Sequence, residues 1–136
     1  MMTPEVRETL HAARAAERDQ ALLYRALASE AEQVGDSALS ERLNGLHADE
    51  QHHVSRLSAR LLELGEELAE LPPPSLPEVG LEQWERLARE REHVEVARYR
   101  ALLGHDLDAP TRLMIEEFLE AELQHARALG GKWMGA

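Results

Sequence analysis

Apolar residues recur at intervals of three and four along four stretches of the chain, which is the spacing of one face of an α-helix. Capping residues and helix breakers set the limits of these stretches: Pro4 suits a first helical position, and Gly35 and Gly104 suit C-terminal caps. The pattern predicts four helices, over residues 4–34, 37–70, 81–103 and 109–129.

A proline-rich connector separates the second predicted helix from the third. Residues 71–77 read Leu-Pro-Pro-Pro-Ser-Leu-Pro, and proline both fixes φ and removes an N–H donor, so we expect an extended segment. An extended spacer suits a crossover between distant bundle ends better than a tight hairpin. The predicted fold is all-α, a four-helix bundle of two helical hairpins joined by a Pro-rich crossover, and residues 1–136 are expected to form one domain.

Acidic and imidazole side chains interrupt the four apolar stripes in mid-helix, where the pattern asks for leucine. The second and fourth helices each carry a Glu-x-x-His pair, whose two side chains project from one helix face. The first and third helices contribute glutamates, and the third adds one more a turn later. The residues on the stripes are Glu17, Glu50, His53, Glu92, Glu95, Glu122 and His125.

The two halves of the chain resemble each other. Glu17 is followed seven residues later by Tyr24, and Glu92 is followed seven residues later by Tyr99. The tyrosines are candidates to donate hydrogen bonds to ligand carboxylates. The interpretation that they are core aromatic residues with a satisfied hydroxyl stays equally open. Gln20 stands on the first helix where the third helix has its additional glutamate, so the halves are not identical.

Burial of these charges predicts a metal site. Five carboxylates lie on the stripes, each would cost several kcal/mol if buried unpaired, and no stripe carries a Lys or Arg. Two divalent cations would nearly balance them. Glutamates with one imidazole per metal suit iron or manganese better than copper or structural zinc. Four such helices match the di-iron carboxylate arrangement, so we expect two iron ions, replaceable by manganese or zinc.

Other Glu/His or Asp/His pairs at the same spacing lie off the stripes, and we interpret them as solvated. His47 lies beside the stripe of the second helix and is at most a neighbour of the ligands. The off-stripe pairs are Glu8 with His11, Asp49 with His52, and Glu90 with His93.

The composition of the chain excludes several kinds of partner and chemistry. The formal net charge of -11 argues against a nucleic-acid partner and against an anionic membrane surface. The absence of cysteine excludes disulfides, thiol chemistry and Cys-ligated metal centres. No signal peptide and no run of about 20 apolar residues is present, so a cytoplasmic protein is expected.

The stripe residues resemble those of the rubrerythrin group of the ferritin-like superfamily, over residues 4–129. The shared pattern is Glu17, Glu50-x-x-His53, Glu92 and Glu122-x-x-His125. Glu95 is the more specific mark, because rubrerythrins carry an additional glutamate one turn after the third-helix ligand. The resemblance implies a carboxylate-bridged di-iron centre, with Glu50 and Glu122 bridging the irons and Glu17 and Glu92 as terminal ligands.

The same resemblance implies roles for the remaining residues and an activity. His125 would hold one iron, while the other iron would exchange His53 for Glu95 as its oxidation state changes. Catalytic roles are expected for Glu95, Tyr24 and Tyr99. The implied activity is that of a peroxidase, in which the diferrous form reduces hydrogen peroxide to water and becomes diferric.

Alternative functions stay open at this point. One is a ferroxidase in iron storage or delivery, another an oxygen-activating hydroxylase, and a third a non-enzymatic helical interaction bundle. Rubrerythrins often carry a Cys-ligated rubredoxin domain, which a chain without cysteine lacks. The expected partners are therefore hydrogen peroxide or oxygen and a separate electron donor. A homodimer, with helix exchange through the connector, is expected by analogy with the family.

Overall fold

A computed structural model describes residues 2–74 and 76–129. Within these ranges the chain forms four α-helices and no strand, which confirms the predicted all-α class. The C-terminal tail, including Trp133, lies outside the described residues. The helices are α1 (Pro4–Gln33), α2 (Ser37–Glu63), α3 (Trp84–Leu103) and α4 (Ala109–Leu129).

The turn between α1 and α2 forms as the capping residues predict. Gly35 has φ +77°, the left-handed conformation that glycine adopts most readily. The Asp36 N–H then donates to the carbonyl of Ala31 at 2.9 Å, closing the end of α1. The Asp36 side chain in turn accepts a hydrogen bond from the Leu39 N–H at 3.1 Å, so one residue ends a helix and caps the next.

The predicted end of α2 at residue 70 is wrong, since the helix stops at Glu63. Gly65 has φ +84°, and its N–H donates to the carbonyl of Leu62 at 3.0 Å. The following N–H, of Glu66, donates to Leu61 at 2.9 Å. These two bonds are those of a Schellman motif. The apolar period continues as far as Leu68, but the glycine turns the backbone out of the helix.

The predicted start of α3 at residue 81 is also early, since the helix begins at Trp84. The N–H groups of Gln83 and Trp84 both donate to the Gly80 carbonyl at 3.1 Å. Residues 81–83 therefore form a turn that leads into the helix.

The chain divides into two compact units. One unit is Arg14–Trp84, which holds most of α1, all of α2 and the connector. Its core includes Tyr24, whose ring meets the Trp84 ring edge-on with 6.4 Å between centroids. The guanidinium of Arg42 lies 5.0 Å from the Trp84 ring centroid, a cation–π contact.

Arginine side chains of α1 bind α2, the segment that follows it and the connector within this unit. Arg14 donates to the Ala69 carbonyl at 3.1 Å and to Ser58 Oγ at 3.1 Å. Arg18 donates to the Pro72 carbonyl at 2.6 Å. Guanidinium donors thus pair with carbonyls that a proline-rich segment cannot satisfy through helical hydrogen bonds.

The other unit comprises Met1–Ala13 and Glu85–Ala136, which brings together the start of α1 with α3 and α4. The buried rings of Tyr99 and Phe118 pack at 5.8 Å between centroids. None of the four helices has a stretch apolar enough, over the length that a bilayer requires, to span a membrane.

Two glycines of the α2 region should respond oppositely to alanine. Gly45 lies within α2 and Gly65 has positive φ, while an added Cβ meets no atom within 4 Å at either site. We expect Gly45→Ala to raise the free energy of unfolding by about 1 kcal/mol. Gly65→Ala should lower it by roughly 1 kcal/mol because of left-handed strain. Urea unfolding measures both changes, and a gain in stability for Gly65→Ala would contradict the C-terminal cap.

Candidate metal centre

The Arg14–Trp84 unit contains the first set of three potential metal ligands. Glu17 comes from α1, and Glu50 and His53 come from α2. One ligand atom of each lies within 4.8 Å of the others. All three side chains are buried, and His53 Nδ1 is 2.7 Å from Glu17 Oε2. We call Glu17, Glu50 and His53 the first ligand set.

The helical periodicity explains why these charged residues lie in the interior. On α1, Glu17 falls on the same stripe as the buried residues Ala13 and Ala21. On α2, the buried pair Glu50 and His53 continues the stripe of leucines that includes Leu57. Since neighbouring apolar residues must be buried, the glutamate and histidine are buried with them.

The other unit contains an equivalent second ligand set, formed by Glu92 of α3 with Glu122 and His125 of α4. One ligand atom of each again lies within 4.8 Å of the others, and all three are buried. His125 Nδ1 lies 3.2 Å from Glu92 Oε2 and 3.4 Å from Glu122 Oε1. In both sets Nδ1 is therefore the imidazole atom that faces a carboxylate.

The donor atoms of each set fit a metal such as iron. Ligands about 2.1 Å from one ion lie at most roughly 4.2 Å apart, so a spacing within 4.8 Å is close to a coordination sphere. Two carboxylates and one neutral imidazole carry two formal negative charges, which a divalent ion neutralises. Hard oxygen ligands with imidazole suit iron or manganese.

Glu95 belongs to neither set, although it is buried on α3 one turn after Glu92. Its Oε2 forms an ion pair with Arg98 Nη1, and its buried Oε1 has no hydrogen bond among the described residues. Burial raises the pKa of the Glu95 carboxyl to about 7, against the opposing effect of the Arg98 charge, and the negative charge of Glu92 raises it further. The stripe pattern did not identify Arg98, although its spacing of three residues from Glu95 was visible.

Both candidate tyrosines are fully buried. The Tyr24 hydroxyl accepts a hydrogen bond from Gln20 Nε2 at 2.9 Å, within α1. Tyr99 packs against Phe118 on α4. The catalytic roles expected for Tyr24 and Tyr99 stay predictions.

The histidines off the stripes lie in neither ligand set. His52 and His93 are exposed, and His11 is half-buried. His47 is half-buried, with Nδ1 2.9 Å from the carbonyl oxygen of Ala21, and so ties α2 to α1.

Adjacent histidines on α2 allow a matched test of the first ligand set. His53 is buried in the set, and His52 is exposed. We expect His53→Ala to weaken metal binding by more than the roughly 10–100-fold that loss of an outer partner costs. His52→Ala should bind as the parent protein does. Anaerobic titration with Fe²⁺, monitored by calorimetry, measures the affinity of each variant. Equal affinities of the two variants would show that the first ligand set binds no metal.

Comparison with known proteins identifies the fold. No protein-family profile and no curated protein matches the chain. Among solved structures, bacterioferritin BfrA of Mycobacterium tuberculosis matches with a TM-score of 0.85 and 15% identity, over 98% of this chain and 87% of that one. A bacterioferritin of Rhodobacter capsulatus, described with a metal-free dinuclear site and heme iron, matches with a TM-score of 0.81 and 22% identity, over 95% and 83%. The chain therefore has the ferritin-like four-helix bundle fold.

Proposed function

We propose that this protein is an iron-handling ferroxidase, which binds ferrous ions as substrate and oxidises them to the ferric state. The observation that carries the proposal is the presence of two buried ligand sets of the same composition, one in each compact unit. A structural bundle has no need for two carboxylates and an imidazole at the same positions of both halves.

We further propose that the two sets act together as one dinuclear centre, with Glu50 and Glu122 as shared ligands. The internal repeat of the sequence places these glutamates at matching positions of the Glu-x-x-His motifs. The ferritin-like fold supports the pairing, since the similar Rhodobacter capsulatus bacterioferritin is described with a dinuclear site. Dinuclear metal sites are known to place two ions roughly 3.5–4 Å apart.

The side chains of the two sets would perform three tasks. The four carboxylates neutralise the four positive charges of two divalent ions, and they stabilise the ferric state more because its charge is higher. The contacts of His53 and His125 at Nδ1 with Glu17 and Glu92 place an imidazole nitrogen of each histidine beside the carboxylate with which it would share an ion. Burial keeps bulk water from screening these interactions.

When bound, a pair of ferrous ions supplies two electrons to an oxidant such as oxygen or hydrogen peroxide. The oxidant enters as substrate, and an electron donor, if the cycle uses one, is a separate molecule. A homodimer stays part of the proposal and rests on family analogy alone.

Two findings favour iron oxidation over the peroxide reduction that the rubrerythrin resemblance implied. The similar solved structures are bacterioferritins. In addition Glu95, the residue that most specifically indicated a rubrerythrin, is ion-paired with Arg98 and lies outside both ligand sets. The finer assignment to the rubrerythrin group therefore has no support beyond the sequence resemblance.

Oxidation of ferrous ion in excess separates the two activities. Anaerobic protein receives Fe²⁺ well above two ions per chain, and ferric absorbance is followed after addition of oxygen or peroxide. We expect oxidation to continue beyond the first two ions per chain, because the oxidised substrate leaves the centre. Glu50→Ala should abolish it, while Asp49→Ala, exposed and adjacent, should retain it.

A different outcome would favour the alternatives. Oxidation that stops at two ions per chain and proceeds faster with peroxide than with oxygen would indicate the peroxidase. An unchanged iron content in both Glu50→Ala and His125→Ala would indicate a bundle without a metal function.

A further inference from the structure

The ion pair between Arg98 and Glu95 lies on the same helix as Glu92 of the second ligand set, and the proposed function does not use it. Both residues lie on α3, three positions apart. The Glu95 side chain is 5% exposed and that of Arg98 23% exposed, so the carboxylate is inside and the guanidinium reaches it from the edge.

Glu95 has the right position to be a metal ligand. It lies three residues after Glu92, and residues at this spacing are neighbours on one helix face. Its Oε1 is buried and makes no hydrogen bond among the described residues. Nevertheless, its oxygens are not gathered with those of Glu92, Glu122 and His125. Instead, Glu95 forms an ion pair with Arg98.

The first half of the chain lacks this arrangement. Gln20 occupies the matching position on α1, one turn after Glu17, and it donates a hydrogen bond to Tyr24 at 2.9 Å. An amide is neutral and needs no cation, so no arginine is required beside it. The additional carboxylate of Glu95 and the cationic Arg98 therefore occur on α3, whereas α1 has the neutral amide of Gln20 at the matching position.

We propose that Arg98 is a positioning residue that holds Glu95 out of the metal centre and so keeps Glu95 from joining Glu92, Glu122 and His125 as a ligand. This inference rests on the proposed function, because it requires a bound metal. A buried carboxylate is stabilised either by a cationic side chain or by a metal ion. Arginine stays protonated under all ordinary conditions, so its positive charge is always present beside Glu95.

Removal of Arg98 should release Glu95 to the next available cation, which is the bound metal. Arg98→Met keeps the length and apolar stem of the side chain and removes its charge. The variant would gain a carboxylate ligand, whereas Glu95→Gln in the parent protein would lose nothing that binds metal. Arg98→Met should therefore change metal binding, whereas Glu95→Gln should not. The effect of Arg98→Met should require the Glu95 carboxylate.

Titration of the full chain with Co²⁺, followed by its visible absorption, tests the proposal. We expect Arg98→Met to tighten Co²⁺ binding about tenfold and to weaken the absorption per ion, because an added ligand raises the coordination number. Glu95→Gln alone should bind as the parent does. The double variant Arg98→Met/Glu95→Gln should return to parent affinity and absorption, which a merely structural role of Arg98 would not produce.

Matched controls make the outcomes distinct. Arg100→Met removes an exposed arginine of the same helix and should change neither affinity nor spectrum. Arg98→Lys keeps the cation and should behave as the parent, and it tests the proposal if Arg98→Met does not fold by circular dichroism. A large loss of affinity in Glu95→Gln alone, or tightening that persists in the double variant, would overturn the positioning role. Failure of the parent protein to bind Co²⁺ would instead overturn the proposed function.

Discussion

The burial of carboxylates in an apolar interior is the constraint on which the rest of this structure depends. Glu17, Glu50, Glu92 and Glu122 are fully buried in mid-helix, where an isolated charge is among the most costly groups a protein can carry. His53 and His125 stand beside them, but two imidazoles cannot balance four carboxylates whatever their protonation state. Retention of such groups in both halves favours a cation there, and the donor atoms suit iron.

Much of the site was predictable from the sequence because helical periodicity fixes which residues share a face. Glu50 and His53 had to project together, and the flanking leucines had to be buried, so the pair was expected in the interior. The same argument applied to Glu122 and His125. A spacing of three and four residues determines which side chains share a helix face, and no knowledge of side-chain contacts is needed.

The errors have equally specific causes. The apolar period extended past the true end of α2 because Leu64 and Leu68 continue the spacing, whereas Gly65 had already taken positive φ. Arg98 was missed for a different reason: it lies off the apolar stripe and reaches its partner through its own side-chain conformation. Periodicity shows which residues share a helix face. It does not show whether a buried carboxylate pairs with a cationic side chain or binds a metal ion.

Whether Glu95 pairs with Arg98 or binds the metal bears on whether the proposed centre keeps iron as a cofactor or releases it as a substrate. A ligand set that excludes Glu95 leaves more positions of an octahedral ion open to water, oxidant or the exchange of the ion itself. The Glu95 carboxylate would fill one of these positions, add negative charge and retain ferric iron more strongly. In our proposal, the ion pair with Arg98 keeps that carboxylate out of the centre. An incomplete ligand set beside a restrained glutamate is therefore consistent with a centre that oxidises iron and lets it go, and less so with one that must keep the same two ions through every cycle.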